Sequence, residues 1–81
     1  MNAVHEPHAE LDTCGLLCPL PVLKARKRLQ ALSDGEILRV LADDPAAAID
    51  FPHFCAEQGH ELLADAAHEG GVLEFLIRRG G

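Results

Sequence analysis

Apolar and polar positions change period several times along the chain, and each change predicts an element. From Ala9, the apolar Ala9 and Leu11 and the half-polar Thr13 alternate with Glu10 and Asp12, the twofold period of a short half-buried strand. Gly15 then permits a turn. Val22, Ala25, Leu29 and Leu32 recur at spacings of three and four, while Lys24, Lys27 and Arg28 fall on other faces. That spacing predicts an amphipathic helix of about three to four turns. Ser33-Asp34-Gly35 closes it, and the apolar run over 36–42, with Ile37, Leu38, Val40 and Leu41, predicts a central strand.

Asp43-Asp44-Pro45 reads as a second helix start, with Asp44 at the N-cap and Pro45 at the first helical position, where a missing N–H costs nothing. Asp50-Phe51-Pro52 repeats the device, so a kink or restart is expected there, with Phe51, Phe54 and Cys55 as the buried stripe and Gly59 as the stop. Two further strands are expected over 61–67 and 72–78, joined by His68-Glu69-Gly70-Gly71 as a hairpin turn. The order strand-helix-strand-helix-strand-strand predicts an α/β fold, a two-layer sandwich with both helices on one face of a four-stranded mixed sheet. Val72 and Leu76 then fall on the open face with Glu74, a candidate docking patch or ordinary exposed apolar surface.

At 81 residues the chain has material for one core, so residues 9–81 are expected to form a single domain behind a loose tail at 1–8 that holds His5 and His8. With no Trp or Tyr and three Phe, that core is aliphatic. The net charge of −6 disfavours general nucleic-acid binding. Lys24, Arg26, Lys27 and Arg28 nevertheless place four of the seven basic residues in one window, a solvated helix face or a dock for an acidic partner. No run reaches the roughly 18 apolar residues of a membrane span, and the N-terminus has no signal-peptide pattern, so a cytoplasmic protein without membrane contact is expected. An odd cysteine count in a reducing compartment does not read as a disulfide framework.

The chemistry concentrates at Cys18-Pro19-Leu20-Pro21. A cysteine before proline is biased to extended geometry, which suits Cys18 as N-cap with Pro19 as the first helical residue and Pro21 stiffening the first turn. There the helix dipole and the Leu20 N–H would favour a thiolate, with Lys24 and Arg26 adding positive field, and the expected result is a nucleophile available at neutral pH. A small packed cysteine is the alternative. Cys14 is either an accessory thiol, able to resolve or pair with Cys18 across Gly15, or an idle strand-end residue. Cys55 reads as a core side chain. His53 and His60 could join Cys14 and Cys18 around a metal, but no paired ligand spacing supports it, and neither metal nor cofactor is expected. Asp43 and Asp44 read as helix-start residues rather than as an acid–base pair.

The stretch Leu11-Asp12-Thr13-Cys14-Gly15-Leu16-Leu17-Cys18-Pro19-Leu20-Pro21-Val22 resembles the opening motif of the TusA/SirA-like sulfur-carrier family, with a glycine three residues before Cys-Pro-x-Pro. The likeness continues through Ala42-Asp43-Asp44-Pro45, Asp50-Phe51-Pro52, Phe54-Cys55, Gly59-His60-Glu61-Leu62 and the closing Leu76-Ile77-Arg78-Arg79-Gly80. Cysteine at position 14 departs from the pattern. The resemblance implies the same sandwich and a sulfurtransferase role in which Cys18 holds sulfane sulfur as a persulfide. It also implies a donor, a cysteine desulfurase or rhodanese-like protein, and an acceptor protein. The acceptor would serve tRNA thiolation, molybdenum cofactor enzymes or sulfur oxidation, with any tRNA link indirect and the carrier itself a monomer. Two other classes stand beside it: a binding or regulatory module in which Cys18 is structural, and a thiol redox protein cycling Cys14 and Cys18.

Overall fold

The computed structural model describes residues 6–80. Along them run β1 (Ala9–Asp12), α1 (Leu20–Gln30), β2 (Ile37–Ala42), α2 (Ala47–Gln58), β3 (Glu61–Ala67), a short 3-10 turn at Glu69–Gly71, and β4 (Leu73–Arg78). The strands lie in the order β1-β2-β4-β3, with β1 parallel to β2, and β4 antiparallel to both β2 and β3. The expected mixed sheet and two-layer sandwich are therefore present. Because β1, β2 and β3 all run the same way, α1 and α2 must both return against them. The two helices are parallel to each other and start at the same end of the molecule.

Alternation along the central strands separates the two faces. Leu38, Val40 and Ala42 of β2 and Phe75 and Ile77 of β4 are buried against Ala25 and Leu29 of α1 and Ala47, Phe51, Phe54 and Cys55 of α2. Phe51 stacks on Phe75 with ring centroids 4.6 Å apart and meets Phe54 edge-on at 6.4 Å. The opposite face carries ions: Arg39 Nε donates to Glu74 at 2.6 Å and its guanidinium lies 3.5 Å from Glu10, while His68 Nε2 lies 2.7 Å from Glu74. Val72 and Leu76, expected there as a docking patch, are half-buried beside this network. In β3 the register slips between Leu62 and Ala64, so Leu63 is an extra residue opposite β4.

Three expectations are corrected. The expected tail at 1–8 falls partly on residues 1–5, outside the described residues, but His8 is anchored: its N–H donates to the Ile37 carbonyl at 2.8 Å and its Nδ1 accepts the Ile37 N–H at 3.0 Å. Second, α1 begins at Leu20 with Pro19 as its cap residue, so Cys18 stands one residue further out than expected and Pro21, not Pro19, is the proline inside the first turn. Third, α2 passes through Pro52 as one helix from Ala47 to Gln58 with no restart. Proline there removes the N–H that would pair with the Ala48 carbonyl. Ala48 and Pro52 are both exposed, so water can take the freed carbonyl and no ring meets packed neighbours.

The end of the chain is tied to the end of α2. Gly59 ends that helix in the left-handed region at φ 74°, and the Gly80 N–H donates to His60 Nδ1 at 3.0 Å. A Cβ on Gly80 would lie 1.7 Å from the Gly59 carbonyl oxygen, backbone that cannot swing aside. Gly80→Ala is therefore expected to lower stability by about 1–3 kcal/mol, the usual cost of overpacking. An unchanged thermal midpoint would show that the chain end is not docked this way.

Candidate functional site: a cysteine at the shared helix start

Parallel pairing of β1 with β2 brings the loops that follow them side by side. Thr13, fully buried, pins the first loop by giving both its N–H (2.7 Å) and its hydroxyl (2.6 Å) to the Leu41 carbonyl. Three carboxylates then hold the loop's backbone. Asp12 accepts from the Cys14 N–H at 2.9 Å, Asp43 from the Gly15 N–H at 2.9 Å, and Asp44 from the Cys18 N–H at 2.7 Å. The other oxygen of Asp44 accepts the Ala46 N–H at 3.0 Å, so one side chain joins the cysteine loop to the turn that opens α2. Asp43 and Asp44 are read from sequence only as helix-start residues, with Asp44 at the N-cap and Pro45 first in the helix, but α2 is capped at Ala46 and both Asp44 and Pro45 lie in the turn before it. What could have shown more is topology: residues after two parallel neighbouring strands must meet, and a carboxylate there has unpaired loop N–H groups within reach.

Cys18 precedes a cis proline and its side chain is exposed. It stands at one edge of a shallow depression of about 170 Å³ whose other walls include Val22, Asp50, His53, Phe54 and Glu57. The Leu20 N–H, expected to meet the sulfur, instead donates to the Leu17 carbonyl at 2.9 Å. The expected neutral-pH thiolate is also corrected. The Cys18 thiol is held above its ordinary pKa, first by its hydrogen bond to the Asp50 carboxylate, then by partial desolvation and the charges of Asp50 and Asp44. The carboxylate charges of Asp50 and Asp44 favour the neutral thiol and so oppose the positive dipole at the start of α1. Lys24 and Arg26 lie on the exposed face of α1 and do not set the direction.

A pH test follows from that geometry. In a chain whose other thiols are replaced by serine, Asp50→Asn removes the carboxylate that stabilises the thiol and repels the thiolate, so Cys18 becomes more acidic. The pH profile of its alkylation by iodoacetamide is expected to move to lower pH, with faster reaction at pH 7. A superimposable profile would remove Asp50 from the account.

Cys14 is exposed and, like Cys18, a free thiol; desolvation and its hydrogen bond with Asp12 raise its pKa. Cys55 is buried in the core, where burial pushes its thiol up to about 11. No group of three or more His, Cys, Asp or Glu suited to a metal occurs among the described residues. No helix among them is long and apolar enough to cross a membrane. Pro19, Leu20 and Pro21 form the start of α1, and Lys24, Arg26, Lys27 and Arg28 are all exposed along it. The sequence reading overlooked an apolar rim. Leu17 (71% exposed) and Leu20 flank Cys18, Leu23 follows on α1, and Ile49 (76% exposed) stands on the first turn of α2.

A buried strand end, a carboxylate-held loop and an exposed cysteine at the head of α1 can be compared with known proteins. The family model described as sulfurtransferase TusA matches residues 9–79. The chain belongs to the TusA family. Among curated relatives of this TusA-family chain is a sulfur carrier protein TusA of Allochromatium vinosum, 47% identical over 70 residues that cover 86% of this chain and 91% of the relative. Among solved structures is a SirA-like protein from Desulfitobacterium hafniense, superposing with a TM-score of 0.79 at 27% identity over 90% of this chain and 99% of that one. The resemblance drawn from the motif residues and the fold expected from it both stand.

Proposed function

We propose that this TusA-family sulfur carrier holds its sulfur on Cys18 as a persulfide, taking it from a donor protein and passing it to an acceptor protein. The observation that carries the reading is the exposed Cys18 thiol, with exposed Leu17 and Leu20 beside it in the chain, on a loop whose backbone Asp44 braces. A thiol so placed reaches into another protein's pocket, and the apolar rim supplies the contact that brings the two together. The depression beside it is too shallow to enclose a small substrate, which suits a carrier more than a self-sufficient enzyme.

In loading, the Cys18 sulfur attacks the outer sulfur of a donor persulfide. A Cys18–sulfur bond forms, the donor's S–S bond breaks, and the donor leaves as a thiol carrying the proton that Cys18 gives up. The electrons balance without an outside oxidant. The carboxylates beside Cys18 disfavour its thiolate, the form through which a thiol is oxidised.

The test is intact-protein mass spectrometry after incubation with a cysteine desulfurase and cysteine, on wild type, Cys18→Ser, Cys14→Ser and Cys55→Ser. One added sulfur atom is expected in all but Cys18→Ser, and a reductant should remove it. Loading that survives in Cys18→Ser, or that requires Cys14, would overturn the assignment.

A further inference from the structure

The parallel helices leave a groove between them, and its two ends differ in chemistry. Val22, Arg26 and Gln30 stand four residues apart on α1 and form one ridge, with Cys18 at its head. At the Cys18 end the groove is walled by Asp50 and Glu57 of α2, with Asp44 close by. At the far end lies a second depression of about 250 Å³, lined by Arg26, Gln30, Gln58, His60, Arg79 and Gly80. Among the described residues no carboxylate lines that end. Arg26 forms no ion pair among the described residues, and Gln30 and Gln58 offer amide donors. His60 accepts the Gly80 N–H at Nδ1, which leaves its proton on Nε2 as a further donor. Arg79, though paired with Asp34 at 2.8 Å, adds a second guanidinium.

We propose that this groove receives an extended peptide segment of the sulfur acceptor, with the acceptor's cysteine at Cys18 and a carboxylate three or four residues away in the Arg26–His60–Arg79 depression. The inference rests on the persulfide reading of Cys18. The spacing comes from geometry: seven residues along α1 separate its cap Pro19 from Arg26, roughly 10 Å at 1.5 Å per residue. An extended segment covers that span in about three to four residues at ~3.3 Å each. The charge order selects a peptide over a nucleic acid, since a phosphate backbone able to reach the cationic end would have to pass Asp44, Asp50 and Glu57. In the transfer, the acceptor thiolate attacks the outer sulfur of the Cys18 persulfide, a new S–S bond forms on the acceptor, and Cys18 leaves as thiolate.

The experiment uses the full chain loaded with sulfur at Cys18 and confirmed as such by mass. Synthetic peptides of the form Cys-(Gly)n-Asp-amide, with n from zero to six, and the matching Asn series compete as acceptors. Transfer to the Asp series is expected to peak at n of two or three, about two- to fivefold above the Asn series, as one exposed charge contact allows. Arg26→Glu should erase the peak and restore it for peptides carrying Lys in place of Asp. A flat dependence on n, or a peak unchanged in Arg26→Glu, would overturn the groove proposal while leaving sulfur loading intact. Failure to load Cys18 at all would instead strike the persulfide reading.

Discussion

Phe51→Ala is expected to cost about 3–5 kcal/mol of stability, the range for deleting a buried aromatic ring. Phe51 is fully buried and joins three elements: it stacks on Phe75 of β4, meets Phe54 edge-on, and lies within the cluster that includes Leu29 and Val40. A domain of this size has roughly 4–12 kcal/mol in all at typical per-residue values, so the loss is at least about a quarter of the total. In urea, with a slope of about 1 kcal/mol per molar, the unfolding midpoint should fall by about 3 M or more. Phe51→Leu, which keeps most of the volume, should lose less than half as much. A loss below about 1 kcal/mol for the alanine variant would mean that α2 is not seated on the sheet as described, and Asp50 would no longer be held beside Cys18.

The second large effect belongs to the apolar rim. Leu17→Ser combined with Ile49→Ser should leave the fold and the loading of Cys18 by inorganic polysulfide unchanged, since both side chains are exposed and neither belongs to the core. Transfer to or from a partner protein is expected to fall about ten- to thirtyfold, the scale of losing one interface anchor worth 1.4–2 kcal/mol. The contrast between the two sulfur sources is the informative part. If small-molecule loading fell as far as protein transfer, the rim would be supporting the Cys18 loop, and if neither fell, partners would approach from elsewhere, for instance over the basic face of α1.

Much of this architecture was legible in residue order because periodicity reports burial. Leu38, Val40 and Ala42, and Phe75 with Ile77, alternate in sequence and lie on the helix-facing side of the sheet. Cys55 reads as core for the same reason. The site was legible only as far as the Cys-Pro-Leu-Pro motif. Its electrostatics were misjudged because a local argument, a thiol near a helix start with Lys24 and Arg26 following, omitted carboxylates distant in sequence. Asp44 and Asp50 lie 26 and 32 positions beyond Cys18, and only the parallel pairing of β1 with β2 brings that region to the cysteine loop. The α2 restart was overpredicted for a related reason: proline's cost depends on whether the freed carbonyl meets water, and exposure at Ala48 and Pro52 is a tertiary fact. The rim of Leu17, Leu20, Leu23 and Ile49 was passed over because a leucine count cannot distinguish buried from exposed leucines.

The extra residue in β3 bears on how such a protein behaves when crowded. That strand forms an outer edge of the sheet, with a row of backbone groups that another chain's strand could extend. Where Leu63 is inserted the ladder loses its regular spacing, and Asp65 sets a charge on the edge just beyond it. A second copy seeking to add itself would meet broken register and like charge within three residues. The β3 border is therefore a poorer template for self-stacking than a smooth seven-residue edge strand would be.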